Sequence, residues 1–186
     1  AWQPAYVGIG SNLGDSRERL QQAFEALGSL PQTRLVCRSP LYATRAFAPV
    51  QQPDFVNAVA GVLTALALLP FFEALRALEA ALGRTPPRQR WGPREIDLDL
   101  LVFGAACHAD ERLTVPHPGI AERDFVLHPL RDVAPDLEIA GVGRVRELVA
   151  VEHPRGLLAA HAVAPLAQRT LVAAVQDLQQ RATDQL

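Results

Sequence analysis

From Ile96 to Val102 the chain alternates. Ile96, Leu98, Leu100 and Val102 fall on one side of an extended segment, and Asp97 and Asp99 fall on the other. The two carboxylates point the same way, roughly 7 Å apart along the strand at the usual rise per residue. Folding gains nothing from like charges set side by side. Two readings remain open for such a pair: the wet face of an edge strand, or a site for a divalent cation. Immediately before it come Arg90, Trp91, Gly92, Pro93 and Arg94. Gly92-Pro93 reads as a turn feeding the strand, and arginines beside a cation site suit phosphate cargo.

Composition removes the commonest competing phosphate binder. All 18 basic residues are arginine, with no lysine in the chain. A Walker-type P-loop needs a lysine and is ruled out, as are Schiff-base and kinase-type lysine chemistry. The net charge of -2 offers no basic field for nucleic acid. The longest apolar run, Gly61–Phe72, is too short to span a membrane and is broken by Pro70. The N-terminus lacks the order of a signal peptide. Cys37 and Cys107 read as free thiols of a cytoplasmic protein. Five scattered histidines, His108, His117, His128, His153 and His161, show no zinc-type spacing. A length of 186 residues fits one domain, with a core over about 5–140 and an extension over about 141–186.

Along the chain, Ala5–Gly10 reads as a first strand. Asp15 and Glu18 form a capping-box pattern for a helix to Leu27, with Leu20, Ala23, Phe24 and Leu27 as its buried stripe. Gly8, Gly10 and Gly14 miss dinucleotide-fingerprint spacing by one residue, which favours tight corner packing instead. Arg34–Tyr42 reads as a second strand. Ala43–Asp54 is a long connection suited to covering a substrate. Phe55–Ala65 is a third strand carrying Asn57 in an apolar run; that amide is either a structural hydrogen-bonder or a ligand reader. Pro70–Leu82 is a second helix with Gly83 past its end and Glu79 beside its stripe. Arg84, Arg88, Arg90 and Arg94 follow, four arginines in eleven positions. A turn or hairpin over Ala105–Arg112 leads to an extended Leu113–Pro118 and short helical stretches to Pro135. Pro165–Arg181 reads as a terminal helix. The order β-α-β-β-α-β predicts an α+β, ferredoxin-like fold, an antiparallel sheet with helices packed on one face.

Four blocks together resemble the 6-hydroxymethyl-7,8-dihydropterin pyrophosphokinase family of folate biosynthesis: Gly8–Gly14, Gln52–Asn57, Arg90–Asp99, and Leu113–His117 followed by Arg123 and Phe125. The resemblance covers about Ala5 to Leu137. It implies transfer of pyrophosphate from ATP to the pterin's hydroxymethyl group, with release of AMP. Two Mg²⁺ ions are implied on Asp97 and Asp99. Arg84 and Arg94 correspond to phosphate-holding, catalytic arginines. Glu79, Arg88, Arg90, Trp91, Ile96, His117 and Arg123 fall at nucleotide-binding positions, with Trp91 as a latch. Thr44, Phe47, Phe55, Asn57, Asp97 and Phe125 fall at pterin-binding positions, with Phe55 and Phe125 sandwiching the ring and Asn57 reading its edge. The implied partners are these small molecules alone, with a monomeric enzyme expected. The chain departs from the family's pattern at Pro86, where a second loop arginine is usual, and at Arg45 and Pro118. Two other classes stay in view: a non-catalytic pterin or nucleotide binder, and a Mg²⁺-dependent phosphohydrolase. The intact Asp97, Asp99 and Arg94 disfavour the first, and the absence of a positioned base around His117 disfavours the second.

Overall fold

Strand β1 (Gln3–Ser11) lies at the centre because both of its faces are apolar or small. It pairs antiparallel with β4 (Phe55–Thr64) on one side and with β5 (Asp97–Phe103) on the other. The outer partner of β4 comes in two pieces, β2 (Thr33–Arg38) and β3 (Leu41–Thr44). The order β5-β1-β4-β2/β3, all antiparallel, is the ferredoxin-like arrangement that the sequence predicted. The structure is a computed structural model and describes residues 1–46, 51–85, 92–148 and, for the backbone alone, 157–161.

The expected single strand Arg34–Tyr42 is broken at Ser39-Pro40, because proline has no N–H for the ladder. Ser39 closes the gap from both ends: its N–H donates to the Val59 carbonyl and its hydroxyl accepts from the Val59 N–H, each at 2.8 Å.

Helix α1 (Ser16–Gly28) buries the expected Leu20, Ala23, Phe24 and Leu27. Asp15 caps it by accepting from the Glu18 N–H at 3.1 Å. The reciprocal half of the capping box does not form, since the Glu18 carboxylate accepts from Gln22 instead. Helix α2 (Leu68–Ala81) starts two residues before Pro70, which sits in the first turn where its missing N–H costs nothing. Phe71, Phe72 and Leu75 go to the same core as α1, joined there by Ile96, Leu98 and Leu100 of the acidic stretch.

Two expectations need correction. Val102 does not share the face of Leu98 and Leu100. A bulge at Tyr6/Val7 shifts the β1–β5 register, so Leu101 and Val102 both pack on the opposite side. Nor are the helices confined to one face. Helix α3 (Asp124–Val133) covers the other one, burying Val126, Leu127 and Leu130 against Tyr6, Val59 and Leu63. It replaces the two short helical stretches that were expected. Tyr42 of β3 donates its hydroxyl to Asp132 of α3 and stacks on His128, with ring centroids 6.3 Å apart.

Short strands β6 (His108–Ala109) and β7 (Thr114–Val115) form a hairpin that joins the turn or hairpin expected over Ala105–Arg112 to the extended segment after it. Beyond α3 come a second hairpin, β8 (Glu138–Ile139) with β9 (Gly143–Arg144), and a turn of helix α4 (Val145–Leu148). A strand not foreseen, β10 (Leu157–His161), pairs with β3 at the sheet edge. The terminal helix expected over Pro165–Arg181 lies outside the described residues.

Because Leu98 is fully buried between β5 and the helices, Leu98→Ala removes core contacts with no room for repacking. We expect about 2–5 kcal/mol of lost stability, read as a lower urea midpoint with an unchanged slope.

Candidate active site

The site lies on the α3 face of the sheet, at the end where β1, β4 and β5 meet. Register places Asp97 opposite Gly10 and Asp99 opposite Gly8, so the carboxylates and the glycines share one face. The same row brings Asn57 against Gly10 from the other side. A β-carbon on Gly10 would stand 2.8 Å from the Asn57 side-chain oxygen, well inside contact distance. One on Gly8 would touch Leu101 at 3.4 Å. Gly10 is therefore what lets the Asn57 side chain lie close over β1. Tight packing was expected of these glycines; Gly10 is tightly packed, with the Asn57 side chain of β4 as its neighbour.

Asn57 and Thr44 are both buried. The Asn57 amide donates to the Thr44 hydroxyl at 2.7 Å, which fixes the plane of the carboxamide. Phe55 at the start of β4 and Phe125 in the first turn of α3 are half-buried. The Arg123 guanidinium lies 6.0 Å from the Phe125 ring centroid.

The charged half is built around Asp97. One of its oxygens pairs with Arg84 at 2.9 Å, and the other pairs with Arg94. Arg84 also pairs with Glu79. The local fold delivers Arg84 there. At the end of α2, Gly83 takes φ +90°, and the Arg84 N–H returns to the Glu79 carbonyl at 3.0 Å, a Schellman-type stop. Thr85 then binds Glu95 through both its N–H and its hydroxyl, at 3.3 and 2.8 Å. Thr85, just past α2, is thus tied to Glu95, just before β5.

Glu79 is nearly inaccessible, with 3% of its side chain exposed, and both of its oxygens are engaged. It accepts from the Leu98 N–H at 2.7 Å and pairs with Arg76 at 2.6 Å as well as with Arg84. Burial raises its pKa against the opposing pull of that N–H and the two arginines. The sequence placed Glu79 beside a stripe without showing that it anchors two arginines.

Asn12 belongs to the Gly8–Gly14 block, but its pattern alone gave it no role. It is buried and holds three segments at once. Its N–H donates to the Arg94 carbonyl at 3.1 Å and its side-chain oxygen accepts from the Arg94 N–H at 2.8 Å. Its amide group donates to Gln52 and to the Pro53 carbonyl, both at 3.0 Å. An Asn inside a strand-to-helix loop, within a block already singled out, was the available signal.

His117 follows β7, its N–H bonded to the Leu101 carbonyl at 2.8 Å. Burial, then the nearby Arg123, lowers its pKa below the usual histidine value. Its Nδ1 accepts from the Gly119 N–H at 3.0 Å. The neutral ring therefore carries its proton on Nε2. Ile96 is fully buried in the helix-side core. Phe47, Arg88, Arg90 and Trp91 lie outside the described residues, as does Pro86.

Asp99 makes no ion pair among the described residues. Desolvation, then the charge of Asp97, lifts its pKa to about 7. A cation is the group that would relieve both causes. No third carboxylate, histidine or cysteine joins this pair among the described residues. Two carboxylates with open positions fit Mg²⁺, which keeps phosphates and water as its remaining ligands.

This is a ferredoxin-like domain whose sheet carries a phosphate- and cation-suited site beside an apolar, amide-floored hollow. The chain belongs to the 7,8-dihydro-6-hydroxymethylpterin-pyrophosphokinase (HPPK) family, whose model matches residues 6–135. It is 47% identical over 148 residues to the 2-amino-4-hydroxy-6-hydroxymethyldihydropteridine pyrophosphokinase of Pseudomonas aeruginosa, covering 80% of this chain and 91% of that protein. It is 44% identical over 153 residues to the protein of the same name from Methylorubrum extorquens, covering 82% and 96% respectively. The fold matches the crystal structure of Plasmodium falciparum HPPK-DHPS with pterin and p-hydroxybenzoate at a TM-score of 0.62 and 14% identity. That match covers 80% of this chain but only 41% of that longer one.

The raised pKa of Asp99 sets a pH dependence. The fold favours its protonated form, so its contribution is fully present below the ordinary carboxylate range near 3.8 and is lost as pH rises through about 7. Metal-free protein should lose stability between about pH 4 and pH 7 relative to Asp99→Asn, measured by urea denaturation in a chelator. Parallel curves for the two proteins would contradict the shift.

Proposed function

We infer that this chain is an ATP-dependent pyrophosphokinase of folate biosynthesis. It transfers pyrophosphate from ATP to the hydroxymethyl group of 6-hydroxymethyl-7,8-dihydropterin and releases AMP. Membership of the pterin pyrophosphokinase family supports the reaction. The observation that carries it into this structure is the Asp97–Arg84–Arg94 cluster set one strand away from Asn57 on the same sheet face.

In this reading Asp97 and Asp99 would hold the metal, two Mg²⁺ ions in all, whose charge would offset that developing on the phosphates. Arg84 and Arg94 bind the phosphates that leave with the pterin. Asn12 fixes the backbone of Arg94, and Glu79 fixes Arg84. Their contribution is to keep two cations aimed at one point without reorganisation during transfer. His117, through its Nε2 proton, donates to the nucleotide, and Arg123 adds a further charge. The 86–91 segment, with Arg88, Arg90 and Trp91, closes over the reaction and excludes water. Asn57 reads the pyrimidine edge of the pterin with the help of Thr44, while Phe55 and Phe125 stack on its two faces and Phe47 borders it. The nucleophile is the pterin's own hydroxyl, so the protein's task is placement: the oxygen must lie in line with the bond between the β-phosphorus and the α,β-bridging oxygen, which leaves with AMP.

We place the enzyme in the cytoplasm as a single-domain monomer. Its two free cysteines suit a reducing compartment. Leu69 is the one exposed large hydrophobic residue among those described, which leaves little apolar surface for a stable partner.

Incubation with ATP, Mg²⁺ and the pterin should yield AMP only when the pterin is present. ADP without pterin would indicate a phosphohydrolase, and no turnover a binder. Arg94→Ala should lower kcat by about 10²–10³-fold, the usual effect of deleting one preorganised charge donor, with Tm little changed. Phe125→Ala should weaken pterin binding about fivefold or more, a stacking loss of about 1 kcal/mol, while ATP binding stays near wild type by calorimetry.

A further inference from the structure

Both oxygens of Asp97 are paired: Arg84 holds one at 2.9 Å and Arg94 the other. These are the same arginines that the preceding reading assigns to phosphate. A divalent cation approaching Asp97 meets two guanidinium charges first, and like charges at such separations repel strongly in a half-buried site. A nucleotide changes that balance. Its phosphates offer arginine a better-matched, bidentate partner than one carboxylate shared between two cations.

We propose that Arg84 and Arg94 are placeholders on Asp97, handed over to phosphate as the metal enters, so that metal binding at Asp97 depends on the nucleotide. The proposal rests on the assignment of Asp97 as a metal ligand. Three features of the structure shape the exchange. Arg84 does not leave freely, because the buried Glu79 keeps hold of it; it pivots about that carboxylate. Glu79 itself stays, held by the Leu98 N–H and Arg76. Arg94 moves only at its side chain, since both its N–H and its carbonyl are bonded to Asn12. Asp99, without an ion pair among the described residues, is left as a single carboxylate, which is a weak site for a cation on its own. The same coupling works in reverse, since whatever nucleotide does for the metal, the metal does for nucleotide. Binding of metal and phosphate is thereby made concerted, and a bare cation does not lock the site ahead of its substrate.

Mn²⁺ serves as the probe, followed by electron paramagnetic resonance of the free ion. It is titrated into the full chain with and without an ATP analogue whose α,β-bridging oxygen is a methylene group. Wild type should bind Mn²⁺ poorly alone and well with the analogue. Arg94→Ala and, separately, Arg84→Ala should bind Mn²⁺ alone about tenfold or more tightly than wild type. Arg94→Lys, which keeps a charge, should stay close to wild type. Asp97→Asn made in the Arg94→Ala background should abolish the gain. If one arginine variant fails to fold, as judged by circular dichroism, the other carries the test. Equal Mn²⁺ affinity in wild type and both arginine variants would overturn the exchange while leaving the metal assignment standing. No Mn²⁺ binding by any protein, even with the analogue, would overturn both.

Discussion

Two aspartates on one face of β5 create a problem that the surrounding structure is arranged to contain. Separated by one residue, they project their charge into the same half-buried hollow. The answer is different at each position. Asp97 is neutralised by Arg84 and Arg94, whereas Asp99 has its ionisation pushed up to about 7. The difference follows from position: Asp97 stands at the strand's entry, within reach of side chains from the preceding turn, and Asp99 lies two residues deeper.

That containment reaches well away from the sheet. The charge of Arg84 is set over Asp97 by a glycine-terminated helix and by a buried glutamate whose other oxygen holds Arg76. Arg94 is set by Asn12, which ties it also to the Gln52-Pro53 segment beside the apolar half of the site. The phosphate side and the pterin side therefore share one structural member. Across the floor, Gly10 separates Asn57 from Asp97 with no side chain of its own.

Much of this was legible in the sequence. Strand alternation placed Asp97 and Asp99 together, and the structure agrees because β5 is buried on its helix side by Leu98 and Leu100; a buried face pins register. The α1 stripe was read residue for residue, since helical period and burial coincide there. What was not legible depended on contacts distant in the chain. The bulge that turns Val102 to the other face arises from pairing with β1, which no local pattern reports. The strand break at Ser39-Pro40 was signalled by the proline, but its repair by Val59 was not. Helix α3 on the second face follows from the apolar residues that Tyr6, Val59 and Leu63 leave uncovered. The pairing of β10 with β3 likewise needs a sheet edge that exists only after folding.

The sequence by itself determined which groups this protein has to work with: paired carboxylates on a strand, arginine as its only fixed cation, an amide in an apolar strand, and family blocks that name the reaction. These are properties of residue type and spacing, and period alone conveys them. Tertiary structure decided how those groups are held. It put Glu79 beneath two arginines, made Asn12 the joint of three segments, packed Asn57 over Gly10, and gave the two aspartates different electrostatic fates. Charge and hydrogen bonding depend on distance and on the surrounding dielectric, and both are set by residues brought together from far apart in the chain.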